Sequence, residues 1–524
     1  MKVLVTEPLV KEAEDFLRRY TEVTVKVGLS ADELLSIVGD YDALLVRSQT
    51  RVTGQLIAAA RKLQVIGRAG VGVDNIDLEA ATKRGILVVN APAGNITSTA
   101  EHTIAMLLAL ARYIPQASVS VRSGAWQRGP FRGTEVRNKT LGIIGLGRVG
   151  SEVAALAKGL KMRVVAYDPM VSADYSGRLS VTLVSLEELL RQADFVTVHV
   201  PLTPATAGLI GPSQLELVKP TARFINCARG GIIDEAALYQ ALEEGRVAGA
   251  ALDVFSREPP GETPLLKSGR VIATPHLAAS TAEAEASVGL DIAEQVIAAL
   301  QGKPVRYPVN APGVTAETLA VLGPYLSVGT TIGHLAIQLS EGQLDSLLIR
   351  YEGEIAGYDT NVVKAAVLGG LLESISEERV NLVNANIIAA SRGLKIAEQK
   401  ETGCQNYANL LAVQLRTTAG VTSVAGTSMR GQVHIVQINE YWIEFVPSGG
   451  YLLVTNHKDR PGIVGAVGTI LGDAGVNISN MQVSRDQPGG KAMMALCLDN
   501  ALDAQHHRQI LDLPDMYSAK MVKL

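Results

Sequence analysis

Short apolar runs alternate with amphipathic stretches along the first 300 residues of the chain, and they come in two series. The first series has five runs, at residues 2–6, 23–27, 43–47, 63–67 and 86–90. The second has six runs, at residues 141–145, 163–167, 195–199, 222–226, 248–252 and 270–274. One long helix is predicted between the series, at 98–114. Buried strands that alternate with helices are typical of βαβ units, so an α/β fold with two consecutive doubly wound, Rossmann-like parallel sheets is expected.

The pattern changes after a further helical stretch, 282–300, which ends at the sequence Gly-Lys-Pro-Val. Helical patterns at 361–373 and 381–393 come next, and residues 411–448 then alternate like strands. From Tyr451 onwards the chain predicts a strand, a helix, two strands, a helix and a closing strand. That βαββαβ order is typical of a small ferredoxin-like domain. We therefore expect an intervening α+β domain and a ferredoxin-like domain after the two parallel sheets.

The composition is that of a folded protein, and it does not predict binding to nucleic acids or membranes. Hydrophobic residues make up 47% of the 524 residues and charged residues 19%, which argues against a disordered chain. The net charge is −4 and basic residues are scattered, so neither nucleic acid nor an anionic membrane is expected to bind. The three cysteines lie far apart and predict neither disulfides nor a metal site. The N-terminus lacks signal-peptide features and apolar runs are short, which predicts a cytoplasmic protein.

A glycine motif follows the first strand of the second series. Gly145, Gly147 and Gly150 form a GxGxxG pattern between a strand and a helical stretch. The first glycine permits a tight turn, the second lets backbone amides approach a pyrophosphate, and the third lets the helix pack closely on the strand. The next strand ends at Asp168, an acid that can accept hydrogen bonds from a ribose and repel a 2′-phosphate. Together these positions predict a dinucleotide site that prefers NAD to NADP.

Three polar residues, Arg229, Glu258 and His276, follow the last three strands of the second series. Doubly wound sheets bind their ligands at this edge. A histidine can accept a hydroxyl proton, and a neighbouring carboxylate can orient its imidazole ring. A guanidinium can hold a substrate carboxylate through two parallel hydrogen bonds. The three side chains therefore predict a catalytic site for the oxidation of a 2-hydroxy acid.

Each of these three residues also has a purely structural interpretation. Arg229 could close a loop through a salt bridge, for which Asp234 is the nearest acid in the sequence. The other two could be a solvated loop acid and a residue at a helix N-terminus. Two further histidines compete for the catalytic role: His102 lies in an apolar helical pattern and is expected to be structural, whereas His199 ends a strand and could line the cofactor cleft. The succession of three polar strand ends after a nucleotide motif favours the catalytic interpretation.

Four segments around these residues resemble the D-isomer-specific 2-hydroxyacid dehydrogenase family, namely GLGRVG, INCARGGIIDEAAL, ALDVFSREPP and TPHLAAST. The resemblance implies that the arginine, the glutamate and the histidine are catalytic. It also implies a lid-like substrate domain of residues 1–95 and 290–308, with an NAD-binding domain, 96–289, inserted between them. The implied contacts to NAD come from Val71, Gly145, Gly147, Arg148, Val149, Gly150, Asp168, Val200, Cys227, Ala228, Asp253, His276, Ala278 and Ala279.

The first series of strands supplies further cations. Arg47 and Arg68 follow two of its strands, and Asn95 opens a long helix whose N-terminus favours anions. These residues match substrate-binding positions of the family, and Arg128 matches one that reaches the site from an adjacent subunit; any one arginine could instead form a surface ion pair. The resemblance implies NAD-dependent oxidation of 3-phospho-D-glycerate, the first step of L-serine biosynthesis. The alternatives are a glyoxylate or hydroxypyruvate reductase and an NAD-sensing transcriptional corepressor of the same fold.

The segment 456–479 resembles an ACT domain. The resemblance assigns residues 449–524 to that domain and residues 309–448 to the intervening domain. ACT domains commonly pair across subunits and bind an amino acid, so a homotetramer with L-serine as its effector is implied. A domain that only joins subunits is the alternative. The positions that match those holding the effector are His457, Asp459 and Asn477.

Overall fold

The computed structural model describes residues 1–313, 316–376, 379–448 and 450–524. Gly449, the predicted first residue of the last domain, lies outside these residues. The described strands form four sheets, of which two are parallel, one is mixed and one is antiparallel. The predicted α/β fold class is confirmed.

The first sheet is formed by five parallel strands, β1 (Lys2–Val5), β2 (Glu22–Val25), β3 (Ala43–Val46), β4 (Val65–Arg68) and β5 (Leu87–Asn90). Their order in the sheet is β2-β1-β3-β4-β5. Each of the five apolar runs of the first series forms one of these strands. Residues that alternate along the strands pack into separate cores on the two faces, as a doubly covered sheet requires.

The second sheet is formed by seven parallel strands, β6 (Thr140–Ile144), β7 (Arg163–Tyr167), β8 (Thr182–Leu183), β9 (Phe195–Val198), β10 (Arg223–Asn226), β11 (Gly249–Leu252) and β12 (Val271–Ala273). Their order is β12-β11-β10-β9-β6-β7-β8, so the direction of winding reverses between β9 and β6. Ligands of doubly wound sheets bind in the crevice at the carboxyl ends of the strands, at such a switch point. The two-residue strand β8 is the one member that the sequence pattern does not predict.

Thirteen helices accompany these two sheets among the described residues. They are α1 (Lys11–Arg18), α2 (Ala31–Ile37), α3 (Gly54–Ala59), α4 (Leu78–Lys83), α5 (Ile96–Arg112), α6 (Ile114–Arg122), α7 (Arg148–Gly159), α8 (Ala173–Arg178), α9 (Leu186–Gln192), α10 (Pro212–Leu215), α11 (Glu235–Glu243), α12 (Pro264–Lys267) and α13 (Ala282–Leu300).

The helix predicted over 98–114 is confirmed as α5, and a second helix that was not predicted, α6, follows it. α5 ends at Arg112, and Tyr113 adopts a left-handed conformation with a φ of 54°. Pro115 then stands in the first turn of α6, where its missing N–H breaks no helical hydrogen bond. α6 buries none of its residues within the single chain.

The helix predicted over 282–300 is confirmed as α13, and it packs on the first sheet. Ile292 and Val296 lie in the same buried core as side chains of β1, β3 and β4. After α13 the chain pairs with β5, where Val309 N–H donates to the Val88 carbonyl at 2.8 Å. The chain therefore returns to the first sheet after it has passed through the second. The predicted domain boundaries themselves stay a prediction.

The third sheet is formed by β13 (Leu344–Gly353), β14 (Lys395–Glu401), β15 (Asn409–Thr417), β16 (Gly420–Met429), β17 (Gln432–Ile438) and β18 (Tyr441–Phe445). Their order is β14-β13-β15-β16-β17-β18, and only the β13–β14 pair is parallel. Its helices are α14 (Ala316–Leu339), α15 (Asn361–Glu373) and α16 (Ala385–Ser391). α15 matches its predicted range, whereas α16 covers only the centre of the pattern at 381–393. The residues 432–445 form a hairpin that turns at Asn439, whose φ is 51°.

The helix α14 is apolar and long enough, over Glu317–Leu339, to pass a length and composition test for a membrane span. Many of its side chains instead belong to the core under the third sheet. Val328, Ile332 and Leu335 are fully buried there, together with residues of α15 and β13. A core helix accounts for its apolar sequence.

The fourth sheet is antiparallel and contains β19 (Tyr451–Lys458), β20 (Ile478–Arg485), β21 (Lys491–Leu498) and β22 (Met516–Lys523). The helices α17 (Ile463–Asp473) and α18 (Ala504–Leu511) complete the predicted βαββαβ order, and the strand order is β20-β21-β19-β22. One face packs on these two helices. Leu452 and Val454, on the other face, join the core of α14 and the third sheet.

Polar side chains connect the third-sheet region to the first sheet. The Asn381 side chain donates to the Gly85 carbonyl at 2.7 Å. The fully buried Asn384 side chain donates to the carbonyls of Arg379, at 2.8 Å, and Lys83, at 3.4 Å. These hydrogen bonds hold the turn between α4 and β5.

Candidate active site

The glycine loop follows β6 and leads into α7. Gly145 has a φ of 95°, a backbone conformation that other residues rarely adopt. A Cβ on Gly150 would lie 2.0 Å from the Gly145 carbonyl oxygen, so only glycine lets α7 pack this closely on the strand. A Cβ on Gly147, by contrast, would enter open space beside the N-terminus of α7. That open approach to free helical N–H groups fits a pyrophosphate.

The carboxylate of Asp168 is fixed beside the glycine loop, at the end of β7. One of its oxygens accepts a hydrogen bond from the Leu146 amide at 2.8 Å, and the other accepts from the Met170 amide at 2.9 Å. A carboxylate oxygen has two lone pairs, so each retains acceptor capacity for a ribose hydroxyl. The dinucleotide site predicted from the sequence therefore has its loop, helix and acid assembled.

Three other residues predicted to contact NAD flank this loop. The guanidinium of Arg148 lies over the ring of Tyr307, 5.5 Å from its centroid, and so connects α7 to the segment after α13. Val149 packs against the core between α5, α7 and the second sheet. Val200 lies against Gly145, where it limits the space at the turn.

Five further predicted NAD contacts follow β4, β10 and β12. Val71 is exposed and Ala228 half-buried, whereas Cys227 and Ala278 are buried. Burial, together with the nearby Asp253 carboxylate, raises the pKa of Cys227 to about 12. The thiol is therefore protonated at neutral pH and is no nucleophile. Ala279, next to Ala278, is half-buried.

His276 and Glu258 are in direct contact. Nδ1 of His276 lies 2.7 Å from Oε2 of Glu258, while Oε1 of Glu258 accepts a hydrogen bond from the Phe255 amide at 3.1 Å. Burial alone would raise the pKa of Glu258, but these two hydrogen bonds and the charge of Arg229 outweigh it and hold that pKa below its usual value. The glutamate is therefore ionised at neutral pH, and it orients the imidazole through one ring nitrogen.

A fully buried carboxylate, Asp253, holds the loop that carries His276. Its oxygens accept hydrogen bonds from the Thr274 hydroxyl at 2.6 Å and from the amides of Leu277 and Ala278 at 2.7 and 2.9 Å. The Asp253 carbonyl accepts from the His276 amide at 2.9 Å. His276 adopts a left-handed backbone conformation, with a φ of 56°, and this network holds it there.

The two competing histidines lie in different surroundings. Nε2 of His102 is 3.3 Å from both the Thr274 hydroxyl and Asp253 Oδ1, so the residue supports the His276 loop from α5. Nε2 of His199 lies 3.0 Å from the Thr197 hydroxyl, and burial lowers the pKa of His199 to about 4. His199 is therefore neutral at physiological pH.

Arg229 pairs with an acid from the other parallel sheet. Its Nε donates to Oδ2 of Asp74 at 3.1 Å, and its Nη1 donates to the Ala228 carbonyl at 2.7 Å. Asp234, the acid nearest in sequence, instead caps α11 through the amides of Ala236 and Ala237. The acid that reaches Arg229 is therefore not the one nearest in sequence, since Asp74 lies 155 residues away in the chain.

Arg68 and Arg47 lie at the carboxyl ends of β4 and β3. Burial, with the nearby positive charge of Arg229, lowers the pKa of Arg68 to about 10, and Asp74 opposes the effect. The Nε of Arg68 is buried and has no hydrogen-bond partner among the described residues. Arg47 forms an ion pair with Glu285 of α13, at 2.9 Å. A buried, incompletely paired guanidinium beside further cations favours a multiply charged anion.

Sequence reasoning missed a residue that organises this edge of the first sheet. The buried Glu7 carboxylate accepts hydrogen bonds from the amides of Arg47, Gln49 and Thr50 at 2.8 to 3.1 Å. Glu7 follows the first apolar run directly, so its place at a strand end was the available signal. Asn75 holds the same loop through the Arg47 and Thr50 carbonyls.

Asn95 and Arg128 are not joined to the arginine cluster by hydrogen bonds within the part of the chain that the structure describes. Asn95 stands at the N-terminus of α5, and its Oδ1 is buried without a hydrogen-bond partner among the described residues. Arg128 is exposed in the segment between α6 and β6. The single chain therefore does not test the prediction that Arg128 acts in an adjacent subunit's site.

The three predicted effector residues lie at opposite ends of the fourth sheet. Asp459 follows β19 and accepts hydrogen bonds from Arg485, at 2.8 Å, and from the Gly489 amide, at 2.9 Å, which lower its pKa. His457, two residues earlier, is buried. Asn477 precedes β20 at the far end of the sheet and donates to Asp499 at 2.8 Å. One chain therefore does not bring Asn477 together with Asp459.

Family models match three parts of the chain. Residues 104–278 match the NAD binding domain of the D-isomer specific 2-hydroxyacid dehydrogenases. Residues 321–439 match the D-3-phosphoglycerate dehydrogenase intervening domain, and residues 451–512 match the ACT domain. The second sheet therefore belongs to an NAD-binding domain, and the fourth sheet is an ACT domain.

Relatives match the chain along its whole length. It is 46% identical to the D-3-phosphoglycerate dehydrogenase of Synechocystis sp. over 525 residues, which cover 100% of this chain and 95% of that relative. The enzyme of the same name from Archaeoglobus fulgidus is 45% identical, with 100% of both chains covered. The crystal structure of D-lactate dehydrogenase from Aquifex aeolicus, complexed with NAD and lactic acid, is 28% identical, covers 58% of this chain and 96% of its own, and has a TM-score of 0.52. The chain belongs to the D-3-phosphoglycerate dehydrogenase family.

Proposed function

We propose that the protein is an oxidoreductase that oxidises 3-phospho-D-glycerate with NAD, and that Arg229, Glu258 and His276 carry the reaction. The observation that supports this proposal best is the 2.7 Å contact between Nδ1 of His276 and Oε2 of Glu258. It leaves Nε2 as the ring nitrogen that can take a proton. An ionised carboxylate behind an imidazole stabilises the imidazolium that forms when the ring accepts that proton.

The roles of the three side chains follow from their chemistry. NAD, when bound at the glycine loop, supplies the acceptor for the hydride from the C2 carbon. His276 takes the proton of the C2 hydroxyl, and Glu258 holds the ring in the required orientation. Arg229 grips the substrate carboxylate through a fork of parallel N–H groups. Asp253 positions His276 through the loop that both residues share.

The first sheet supplies the site for the phosphate. Arg68 is buried, repelled by Arg229 and short of hydrogen-bond acceptors, so a dianion beside it removes an unfavourable arrangement of charges. Arg47 lies within electrostatic reach of Arg68. We assign both arginines to the phosphate end of the substrate. Asn95, and Arg128 of a second subunit, complete the predicted binding set.

A comparison of substrates tests this proposal directly. The purified protein, assayed by NADH absorbance, should oxidise 3-phospho-D-glycerate with a kcat/KM far above that for unphosphorylated D-glycerate. Equal values would contradict the phosphate site. Preferred reduction of glyoxylate or hydroxypyruvate would instead favour the reductase alternative, and the absence of turnover on all of these would favour the NAD-sensing alternative.

We also propose L-serine as an effector of the ACT domain and a homotetramer as the assembly. Asp459 and Asn477 lie at opposite ends of β19, seven or more residues apart, and an extended strand rises about 3.3 Å per residue. A serine held by both residues therefore has to lie between two chains. His457 is buried beside Asp459 in the same chain and completes the proposed site.

Serine titration of the purified protein tests the effector. Activity should fall as serine is added, and Asn477→Ala should weaken the effect, whereas Asn439→Ala, an exchange in the hairpin turn of the third sheet, should not. An unchanged rate at millimolar serine would leave the ACT domain with a role in assembly alone. Light scattering of the same samples tests the tetramer. We also propose that the protein works in the cytoplasm. The domain boundaries that the sequence predicts are kept as part of the proposal.

A further inference from the structure

The ion pair between Arg229 and Asp74 connects the two parallel sheets. Asp74 lies in the loop after β4 of the first sheet, and Arg229 lies in the loop after β10 of the second. Nε of the arginine donates to Oδ2 of the aspartate at 3.1 Å. The Asp74 side chain keeps 68% of its surface exposed, against 28% for Arg229. The aspartate can therefore leave the pair for water at little cost.

Arg229 also contacts backbone groups, in addition to Asp74. Its Nη1 donates to the Ala228 carbonyl at 2.7 Å. Its Nη2 lies so close to the Gly72 backbone that a Cβ there would be 1.9 Å away. The guanidinium therefore has two contacts with the backbone besides its ion pair.

A guanidinium has two edges that can take a carboxylate with two parallel hydrogen bonds. One edge is formed by Nε and Nη2, and the other by Nη1 and Nη2, of which Nη1 already donates one of its two N–H groups to the Ala228 carbonyl. Asp74 accepts from the Nε–Nη2 edge, through Nε. A substrate carboxylate that binds the Nε–Nη2 edge therefore requires the N–H group that Asp74 holds.

We propose that Asp74 is a competing carboxylate, which occupies the substrate-carboxylate position on Arg229 and is displaced by the substrate. The inference rests on the proposed function of Arg229 as the carboxylate-binding residue. Its physical basis is the cluster of cations: Arg229 and Arg47 both repel Arg68, and the negative charge of Asp74 offsets that repulsion. Asp74 thus stabilises the arginine cluster and weakens substrate binding by the same interaction.

The test compares Asp74→Asn with the parent protein. A partly exposed ion pair changes an equilibrium by about two- to five-fold. The KM for 3-phospho-D-glycerate should fall by that factor in D74N. The Kd of oxamate, a 2-oxo carboxylate analogue that does not react, should fall by the same factor when titrated calorimetrically into the NADH complex. Asp74→Glu, which keeps the charge, should bring both values back towards those of the parent.

Asp40→Asn serves as the matched control, because Asp40 is an exposed acid of the same sheet that pairs with Lys62 at 3.8 Å, away from the arginines. It should change neither value. A KM and a Kd that are unchanged in D74N would overturn the inference. Higher values together with a lower kcat would also overturn it, and would assign Asp74 as a residue that positions Arg229.

The two measurements separate this inference from the proposed function. If the parent does not oxidise 3-phospho-D-glycerate, the proposed function fails, yet oxamate binding still shows whether Asp74 competes for the arginine. If the parent turns the substrate over and D74N binds oxamate no more tightly, only the inference fails. If the parent binds no oxamate, Arg229 holds no carboxylate, and the inference is wrong.

Discussion

Nδ1 of His276 lies 2.7 Å from Oε2 of Glu258, and the second oxygen of that carboxylate is held by the Phe255 amide. The carboxylate is thus fixed before it orients the imidazole. The loop of His276 is also held, because Asp253 accepts hydrogen bonds from the amides of Leu277 and Ala278, which follow His276. The ring therefore has a defined position at the end of β12, with Nε2 directed away from its carboxylate partner.

Replacement of Glu258 by glutamine should remove the negative charge and keep the shape of the side chain. We expect kcat to fall by on the order of 10²-fold, because a general base that is neither charge-stabilised nor oriented loses much of its contribution. The KM should change much less. Steady-state assays of E258Q check this, with Glu262→Gln as the control in the same loop, since Glu262 is exposed and forms a surface ion pair with Lys267. Equal kcat values for E258Q and the parent would contradict the role of Glu258.

Replacement of Arg229 by lysine should keep the positive charge and remove the two parallel N–H groups of the guanidinium. A hydrogen bond to a charged group contributes about 1.5–3 kcal/mol, so kcat/KM should fall by about 10- to 100-fold. Arg246→Lys is the matched control, because Arg246 forms a surface ion pair with Glu244. A near-normal kcat/KM in R229K would return Arg229 to the interpretation of a salt bridge between loops.

Replacement of Arg68 by glutamine should affect phosphorylated and unphosphorylated substrates differently. We expect kcat/KM for 3-phospho-D-glycerate to fall by about 10- to 100-fold, because a charged hydrogen bond to the phosphate is lost. The value for D-glycerate should change little, so the preference for the phosphate should shrink. Arg61→Gln, an exchange at an exposed arginine of the same sheet region, provides the control. Equal losses on both substrates would place Arg68 in a structural role.

The parallel sheets could be predicted from the sequence because nearly every buried strand is a short apolar run that stands apart from the amphipathic stretches around it. Of the strands in both sheets, only the two-residue β8 has no such run. The helix α5 could be predicted to within two residues at each end, whereas α6, which follows it after the left-handed Tyr113, could not. Local backbone conformation at a single non-glycine residue leaves no periodic signal.

The candidate site could be predicted in part for a similar reason. Parallel strands end at one edge of a sheet, so Arg229, Glu258 and His276 could be expected to lie near one another. The partner of Arg229 could not be expected, because Asp74 belongs to the other sheet and lies 155 residues away. A contact between two sheets depends on how their domains pack, which no pattern within one segment records.

Replacement of Asp168 by alanine should change the choice of cofactor. Without this carboxylate, the ribose hydroxyls lose an acceptor and a 2′-phosphate is no longer repelled. We expect kcat/KM for NAD to fall about tenfold, as the loss of one charged hydrogen bond predicts, and NADP to be used measurably. Asp174→Asn, in the first turn of α8, is the control. An unchanged ratio of NAD to NADP use would contradict the assignment of Asp168.

Replacement of Asp253 by asparagine should alter both stability and its dependence on pH. Burial would raise the pKa of Asp253, but the hydrogen bonds from His102, Thr274 and two backbone amides outweigh it, so the folded pKa lies below the usual value. A lowered folded pKa contributes stability above the usual pKa of about 3.9, and that stability is lost as the pH falls through the folded value. D253N lacks this contribution, so its stability should depend less on pH in the acid range.

Chemical denaturation at pH 7 and near pH 3 measures both effects. At pH 7 we expect D253N to unfold with a free energy lower by about 1–3 kcal/mol, because a buried acceptor is replaced by a group that also donates. Near pH 3 the gap between the parent and D253N should narrow. Asp40→Asn, at an exposed acid, should show no such change. A gap that stays constant across the acid range would mean that Asp253 is not the group whose protonation loosens the His276 loop.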